Sequence, residues 1–154
     1  MGVNVRVAGD NDDDIAISAA LRRAWCEENA GSPIDDDAFD AGFELWWRAE
    51  QSTRTFFIVE VDGVAVGMAN VKHYVRMPVA GRPSGGWWGY LGQLFVLPEH
   101  RNDGVGAVMM KELTTWAWAA GAEHIRLAPS PRSWPFYTRL GFTPGAVVEL
   151  NPPS

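Results

Sequence analysis

The chain has 154 residues, 47% of them hydrophobic and 21% charged, with a formal net charge of −6. That length fits one domain over residues 1–154 with a substantial core, and the acidic balance argues against a nucleic-acid partner, which normally needs a basic face. The single cysteine, Cys26, has no partner for an internal disulfide, and no apolar run approaches the roughly 18 residues of a membrane helix.

Met1-Gly2-Val3-Asn4-Val5 lacks the pattern of a signal peptide, so a cytoplasmic protein is expected. Val3 to Ala8 alternates apolar and polar residues, as a half-buried first strand does. Asp10-Asn11-Asp12-Asp13-Asp14 supplies cap candidates and acids for a helix start, and Ile17, Leu21 and Trp25 follow on one face. Gly31-Ser32-Pro33 ends that helix. Asp35-Asp36-Asp37 starts a second, with Phe39, Phe43 and Trp46 or Trp47 as its stripe. Thr55 to Val61 is a β-rich run, and Asp62-Gly63 is a hairpin signal into Val64 to Val71, a strand that can continue to about Arg76.

Met77 to Gly86, with two prolines and three glycines, is a loop by composition. Trp88 to Leu97 is the next strand, stopped by Pro98. Val105, Val108, Met109, Leu113, Trp116 and Ala120 give the following helix its apolar face, and Gly121 closes it. Ile125 to Ala128 is a short buried strand. Trp134 to Leu140 is a short helix with Ser133 as cap and Pro135 in its first turn, and Phe142 to Leu150 returns as a closing strand or hairpin. The order β-α-α-β-β-β-α-β-α-β has no repeat and no dividing linker. It predicts an α/β (α+β) fold, a single mixed, mostly antiparallel sheet with helices on both faces. The strands flanking the Val105 helix should run parallel through a right-handed crossover.

Arg101-Asn102-Asp103-Gly104-Val105-Gly106 lies between an apolar strand and an amphipathic helix. Arg-x-x-Gly-x-Gly at such a junction puts unpaired backbone N–H groups at a helix start, a ready anion site that glycines leave open to a phosphate. On these six residues alone, a turn that merely reverses the chain is an equal account. A nucleotide P-loop is absent, because no Gly-x-x-x-x-Gly-Lys-Ser/Thr occurs. A dinucleotide fingerprint fails as well, with Met109 where its third glycine belongs and Ala128-Pro129 where its ribose-binding acid should end the next strand.

The stretch from Tyr90 through Leu97-Pro98-Glu99-His100-Arg101 to Gly106 resembles the GNAT superfamily of acetyl-CoA-dependent N-acetyltransferases. Trp134-Pro135-Phe136-Tyr137-Thr138-Arg139-Leu140-Gly141-Phe142 is similar to the same family's second signature, an aromatic pair shortly before Gly-Phe. The resemblance implies a splayed sheet of six to seven strands, with acetyl-CoA as co-substrate and no metal. The cofactor's pantetheine arm would pair with backbone at Leu94, Phe95 and Val96, and its pyrophosphate would sit at Arg101, Asn102, Asp103, Gly104, Val105, Gly106 and Ala107. Tyr137 matches the position of a general acid that protonates the departing thiolate.

Three positions depart from that pattern. Gly92 stands where relatives often carry a carboxylate that acts as base or holds the amine. Asp103 adds negative charge to the phosphate loop, and Ser130 replaces a frequent asparagine. Candidate bases are Glu60, His73 and Glu44, each with an ordinary structural role as its alternative, and a water-mediated base is equally open.

The resemblance implies transfer of an acetyl group from acetyl-CoA to a primary amine of a small molecule by direct attack. The alternatives are a non-catalytic acyl-CoA-binding regulatory or interaction domain, and a transferase for another acyl-CoA donor. The acids at Asp10 to Asp14 and Asp35 to Asp37, with Trp46, Trp47, Trp87 and Trp88, fit a cationic acceptor, but helix capping accounts for the same acids without a ligand. The eight tryptophans leave room for a homodimer surface.

Overall fold

The computed structural model describes residues 2–154. Strand β1 (Val3–Val7) is followed by helix α1 (Asp12–Ala30), whose start is capped by Asn11: its side-chain oxygen accepts the Asp14 N–H at 2.9 Å. Gly31 closes α1 in the left-handed region, at φ 74°. Helix α2 (Phe39–Glu50) begins later than the acid run suggests, because Asp36 spends its carboxylate on a turn, accepting from the Ala38 N–H.

Strands β2 (Arg54–Val61) and β3 (Val64–Val75) form the expected hairpin, with Asp62 at φ 50° and Gly63 at φ 83°. Strand β4 (Trp87–Val96), helix α3 (Val105–Ala119), strand β5 (Ala122–Arg126) and helix α4 (Trp134–Arg139) complete the order. The sheet runs β1-β2-β3-β4-β5 and is mixed: β1 to β4 pair antiparallel, and β5 lies parallel to β4.

It has five strands, not six to seven. The expected strand from Phe142 to Leu150 does not form, and Val147, Val148 and Leu150 stay exposed. Pro144-Gly145 and Pro152-Pro153 bracket that segment, so only a short run between them is free to pair. Strand β5 also starts earlier than Ile125 and stops before Pro129.

Both faces of the sheet are covered. Phe57, Val59 and Val61 of β2 pack with Met109 and Leu113 of α3 on one side. The alternate residue Phe56 packs with Ile15 and Ala19 of α1 and with Phe43 and Trp47 of α2 on the other. Trp47 stacks on Phe56 with ring centroids 3.6 Å apart, which makes it a core residue and not a ligand surface.

Two irregularities in β4 position everything that follows. A bulge leaves Gly92 without a partner on β3, since Val71 faces Leu91 while the adjoining Asn70 faces Gln93. The alternation therefore reverses: Leu91 faces α3, whereas Phe95 joins Leu21 and Met68 on the α1 side. The parallel pairing with β5 also ends, at Tyr90 with Arg126, so β4 runs on to Val96 paired with β3 alone and with no strand on its other side.

Candidate active site

The unpaired end of β4 is a strand edge inside the protein. Leu97 donates its N–H to Val66 of β3 at 2.8 Å, so by the alternation of a strand Val96 and Leu94 turn their N–H and C=O groups away from β3. The Val96 carbonyl there accepts Nε–H of Arg101 at 2.8 Å. Phe95 has its backbone turned to β3 and its ring in the core against α1.

The loop that follows ends in a nest of backbone donors. Asn102 at φ 66° and Gly104 at φ 80° both take the left-handed conformation, and Gly104 caps α3 without any side-chain bond. The first N–H of α3 with a backbone acceptor is that of Val108, bonded to the Gly104 carbonyl at 3.0 Å. Among the described residues, nothing accepts from the N–H groups of Asn102 to Ala107. A helix start with this many unused donors carries partial positive charge and suits an anion.

Edge and nest share one cavity of about 820 Å³, and Leu94, Phe95, Val96, Arg101, Asn102, Gly104, Val105, Gly106 and Ala107 all line it. Asp103 does not: it is exposed and outside the lining, so its charge faces water. Ser130 lines the cavity and bonds Ser133 across 2.9 Å.

Most of the far wall comes from places where the sequence carries no motif. Trp25, Glu28 and Asn29 belong to α1, Arg132 lies before α4, and Arg139 ends it. Glu28 grips Arg101 with two bonds of 2.7 Å, which lowers the carboxyl's pKa, chiefly through that hydrogen bonding, and raises the guanidinium's. The only sequence hint of this wall was Trp25 on the α1 stripe, with Glu28 one turn later.

Tyr137 lies on α4 between Phe136 and Phe142, both edge-on to its ring, and is 7% exposed. Burial pushes its pKa up to about 12, so it stays protonated at neutral pH. Among the described residues its hydroxyl has no hydrogen-bond partner; Tyr137 does not itself line the cavity, but its neighbour Phe136 does.

The three candidate bases lie elsewhere. Glu60 sits on β2, outside the cavity, 3.3 Å from Asn4 Nδ2 and 3.5 Å from Arg6 Nε. His73 hydrogen-bonds Thr55 Oγ1 at 2.8 Å and stacks on Trp87 against α3; burial, then nearby Lys72, lowers its pKa. Glu44 is held by Arg48, as are Asp10 and Asp12. Asp14 is gripped by Arg6, so Asp10, Asp12 and Asp14 of the first cluster serve structure. Among the described residues no group of His, Cys, Asp and Glu could hold a metal ion, and no helix is long and apolar enough to cross a membrane.

A mixed sheet parted at a parallel strand pair, with an unpaired edge leading to a phosphate-type nest, defines an α/β protein built for a long, phosphorylated ligand. The profile of the acetyltransferase (GNAT) family matches residues 18–142, and the chain belongs to that family. Solved structures share the fold over nearly the whole chain. A predicted acetyltransferase from Clostridium acetobutylicum, solved with acetyl-CoA, superposes with a TM-score of 0.76 at 21% identity, over 97% of this chain and 96% of its own. AAC(6')-Iy, in complex with the bisubstrate analogue CoA-S-monomethyl-acetylneamine, gives 0.71 at 23% identity, over 100% of this chain and 99% of its own. Glucosamine-6-phosphate N-acetyltransferase from Arabidopsis thaliana gives 0.69 at 15%, over 98% of each.

Proposed function

We propose that the protein transfers an acetyl group from acetyl-CoA to the amine of a small molecule by direct attack, without a covalent enzyme intermediate. One observation carries this reading: the unused N–H groups from Asn102 to Ala107 open into the same cavity as the unpaired edge of β4. A ligand with a pyrophosphate at one end and an amide-rich arm matches both. The free backbone groups of Leu94 and the N–H of Val96 suit the arm amides, and the loop N–H groups suit the pyrophosphate.

Acetyl-CoA supplies a thioester carbonyl and a thiolate leaving group. The amine nitrogen forms the new C–N bond, the C–S bond breaks, and the amine proton passes to water. We assign the leaving group's proton to Tyr137, which stands beside Phe136 of the cavity wall: its raised pKa keeps the hydroxyl a donor, and among the described residues no acceptor competes for it. Glu60 takes no part, because it is bound to Arg6 outside the cavity. A water therefore carries the amine proton.

Calorimetry with acetyl-CoA tests the donor side, and release of free CoA thiol across a panel of amines tests the transfer. Binding in the micromolar to millimolar range with thiol release is expected, and absence of acetyl-CoA binding overturns the reading. Among the described residues the one carboxylate on the cavity wall, Glu28, is committed to Arg101, and this favours one second reading, a CoA-binding domain without transferase activity; binding without thiol release on any amine would select it.

A further inference from the structure

Neamine and glucosamine 6-phosphate, named with two of the similar structures, differ in charge, so the shared fold does not choose the acceptor. The α1 side of the sheet does. In register across it stand Arg54, Lys72, Tyr90 and Arg126, and in the next row Phe56, Asn70 and Gln93. Gly92 lies between those rows, exposed although it is in an inner strand. A side chain there would have its Cβ 2.7 Å from Asn70 Oδ1 and 3.0 Å from Arg54 Nη1, so Arg54 and Asn70 occupy the space that residue 92 leaves open.

The charges around this opening do not balance. Arg54 and Lys72 share one carboxylate, Glu50, at 2.7 and 3.1 Å. Arg22 donates to Gln93 Oε1 at 2.9 Å and lies over the Trp25 ring, and Arg126 lies over Trp88. Among the described residues neither Arg22 nor Arg126 has a carboxylate partner, so four cations face one anion. Donors are in surplus too, since Arg54 Nε and Gln93 Nε2 are buried with no acceptor. In a chain whose overall charge is −6, this is a local positive field.

The patch also adjoins the cavity. Trp25 lines the cavity, Arg22 lies over it, and Gln93 is next in the chain to Leu94 of the unpaired edge. From Gln93 to Tyr90 is about 10 Å along the strand at roughly 3.3 Å per residue, the length of a small molecule.

We propose that the acceptor carries an anionic group, a carboxylate or a phosphate, which the Arg22, Arg54, Lys72 and Arg126 cluster holds beside Gly92 while the amine faces the cavity. This rests on the acetyl-transfer reading above. It replaces the cationic acceptor suggested by the acid clusters, whose Asp10, Asp12 and Asp14 are already paired with arginines.

Matched amines test it: phenylalanine against phenethylamine for the carboxylate, and glucosamine 6-phosphate and phosphoethanolamine against glucosamine and ethanolamine for the phosphate. Each is read by thiol release, with acetyl-CoA binding measured on the same protein. A kcat/KM at least about tenfold higher for the anionic member of one series is expected, the scale of a single charge-assisted bond, and the series that shows it identifies the anion. Arg126→Gln should then raise KM for that acceptor about tenfold with acetyl-CoA affinity unchanged, and Arg126→Lys should recover most of the loss. Preference for the uncharged or cationic members, or no turnover of any anionic member while acetyl-CoA binds, overturns the proposal. Failure to bind acetyl-CoA overturns the reading beneath it instead. An Arg126→Gln protein with unaltered KM shows the cluster to be a solvated surface and also overturns it.

Discussion

The two sides of β4 are built from different materials. Toward α3 and the Arg101 loop, the site consists of backbone: an unpaired strand edge and the N–H groups of Asn102 to Ala107, with side chains that mostly stand aside. Toward α1 and α2, the surface around Gly92 consists of side chains drawn from both helices and from β2 to β5, in a network running from Arg22 through Gln93, Asn70 and Arg54 to Glu50. A backbone site is set by where the chain turns and so survives substitution of the side chains around it. A side-chain site changes with each substitution, which is what a family with diverse acceptors requires.

The sharpest test of this division is the residue where the sides should meet. Tyr137→Phe removes one hydroxyl that bonds nothing among the described residues, so stability and acetyl-CoA affinity should stay while turnover falls about 10²- to 10³-fold, the usual weight of a positioned acid. Steady-state kinetics beside calorimetry separates the two quantities, and unchanged turnover would remove Tyr137 from the reaction. Gly106→Asp attacks the backbone side next. An added Cβ meets the Phe136 ring at 3.4 Å and Val96 Cγ2 at 4.0 Å, both ordinary contacts, and an acid in the first turn of α3 favours the helix. The same charge beside a pyrophosphate costs on the order of 3–4 kcal/mol at about 4 Å near a protein surface, so affinity for CoA should fall at least about 100-fold while the melting temperature holds or rises. Equal affinity would mean that the loop is only a turn.

A change remote from both sides should alter neither. Asp14 is buried, accepts two bonds of 2.8 Å from Arg6 and one of 2.7 Å from the Gly9 N–H, and its pKa is lowered to about 2, chiefly by the Arg6 hydrogen bonds. Its folded pKa lies below the unfolded value near 3.9, so its contribution is complete above about pH 4 and is lost as pH falls toward 2. Asp14→Asn should cost about 2 kcal/mol at pH 7 in denaturant titrations and flatten the dependence of stability on pH between 4 and 2. Catalytic constants measured at moderate temperature should not move.

How far the sequence was legible follows the same division. The Arg101 turn, the Asp62-Gly63 hairpin and a helix cap within Asp10 to Asp14 could be read because each is a local backbone device with a residue signature of its own. Phe136-Tyr137 with Gly141-Phe142 could be read because a short helix keeps them together. The α1 wall and the cationic face could not, since Trp25, Glu28, Arg54 and Arg126 meet only through strand register and the way α1 crosses the sheet. Register was itself beyond reach: the bulge at Gly92 reverses the alternation of β4 without any turn residue but a glycine that fits an ordinary strand equally well. The segment after Phe142 shows the opposite failure, in which a plausible apolar run met no neighbour to bury it.

The smallest expected effect concerns the ion pair that ties α1 to the Arg101 loop. Glu28 holds Arg101 through two bonds of 2.7 Å, and Arg101 in turn holds the Val96 carbonyl. The carboxylate thus positions the loop, yet it also places a negative charge in the cavity where a pyrophosphate is expected. Both partners are about one-third exposed, so the pair itself contributes no more than about 1 kcal/mol to stability. Glu28→Gln keeps the shape and one acceptor while removing the charge, leaving the guanidinium free to turn toward an anion. Affinity for CoA should therefore rise by about two- to fivefold, within the reach of one exposed charge, and the gain should shrink as salt is added. A loss of affinity in calorimetry at low ionic strength would show that Glu28 serves the ligand by holding Arg101 in place, and the backbone side would then depend on a side chain after all.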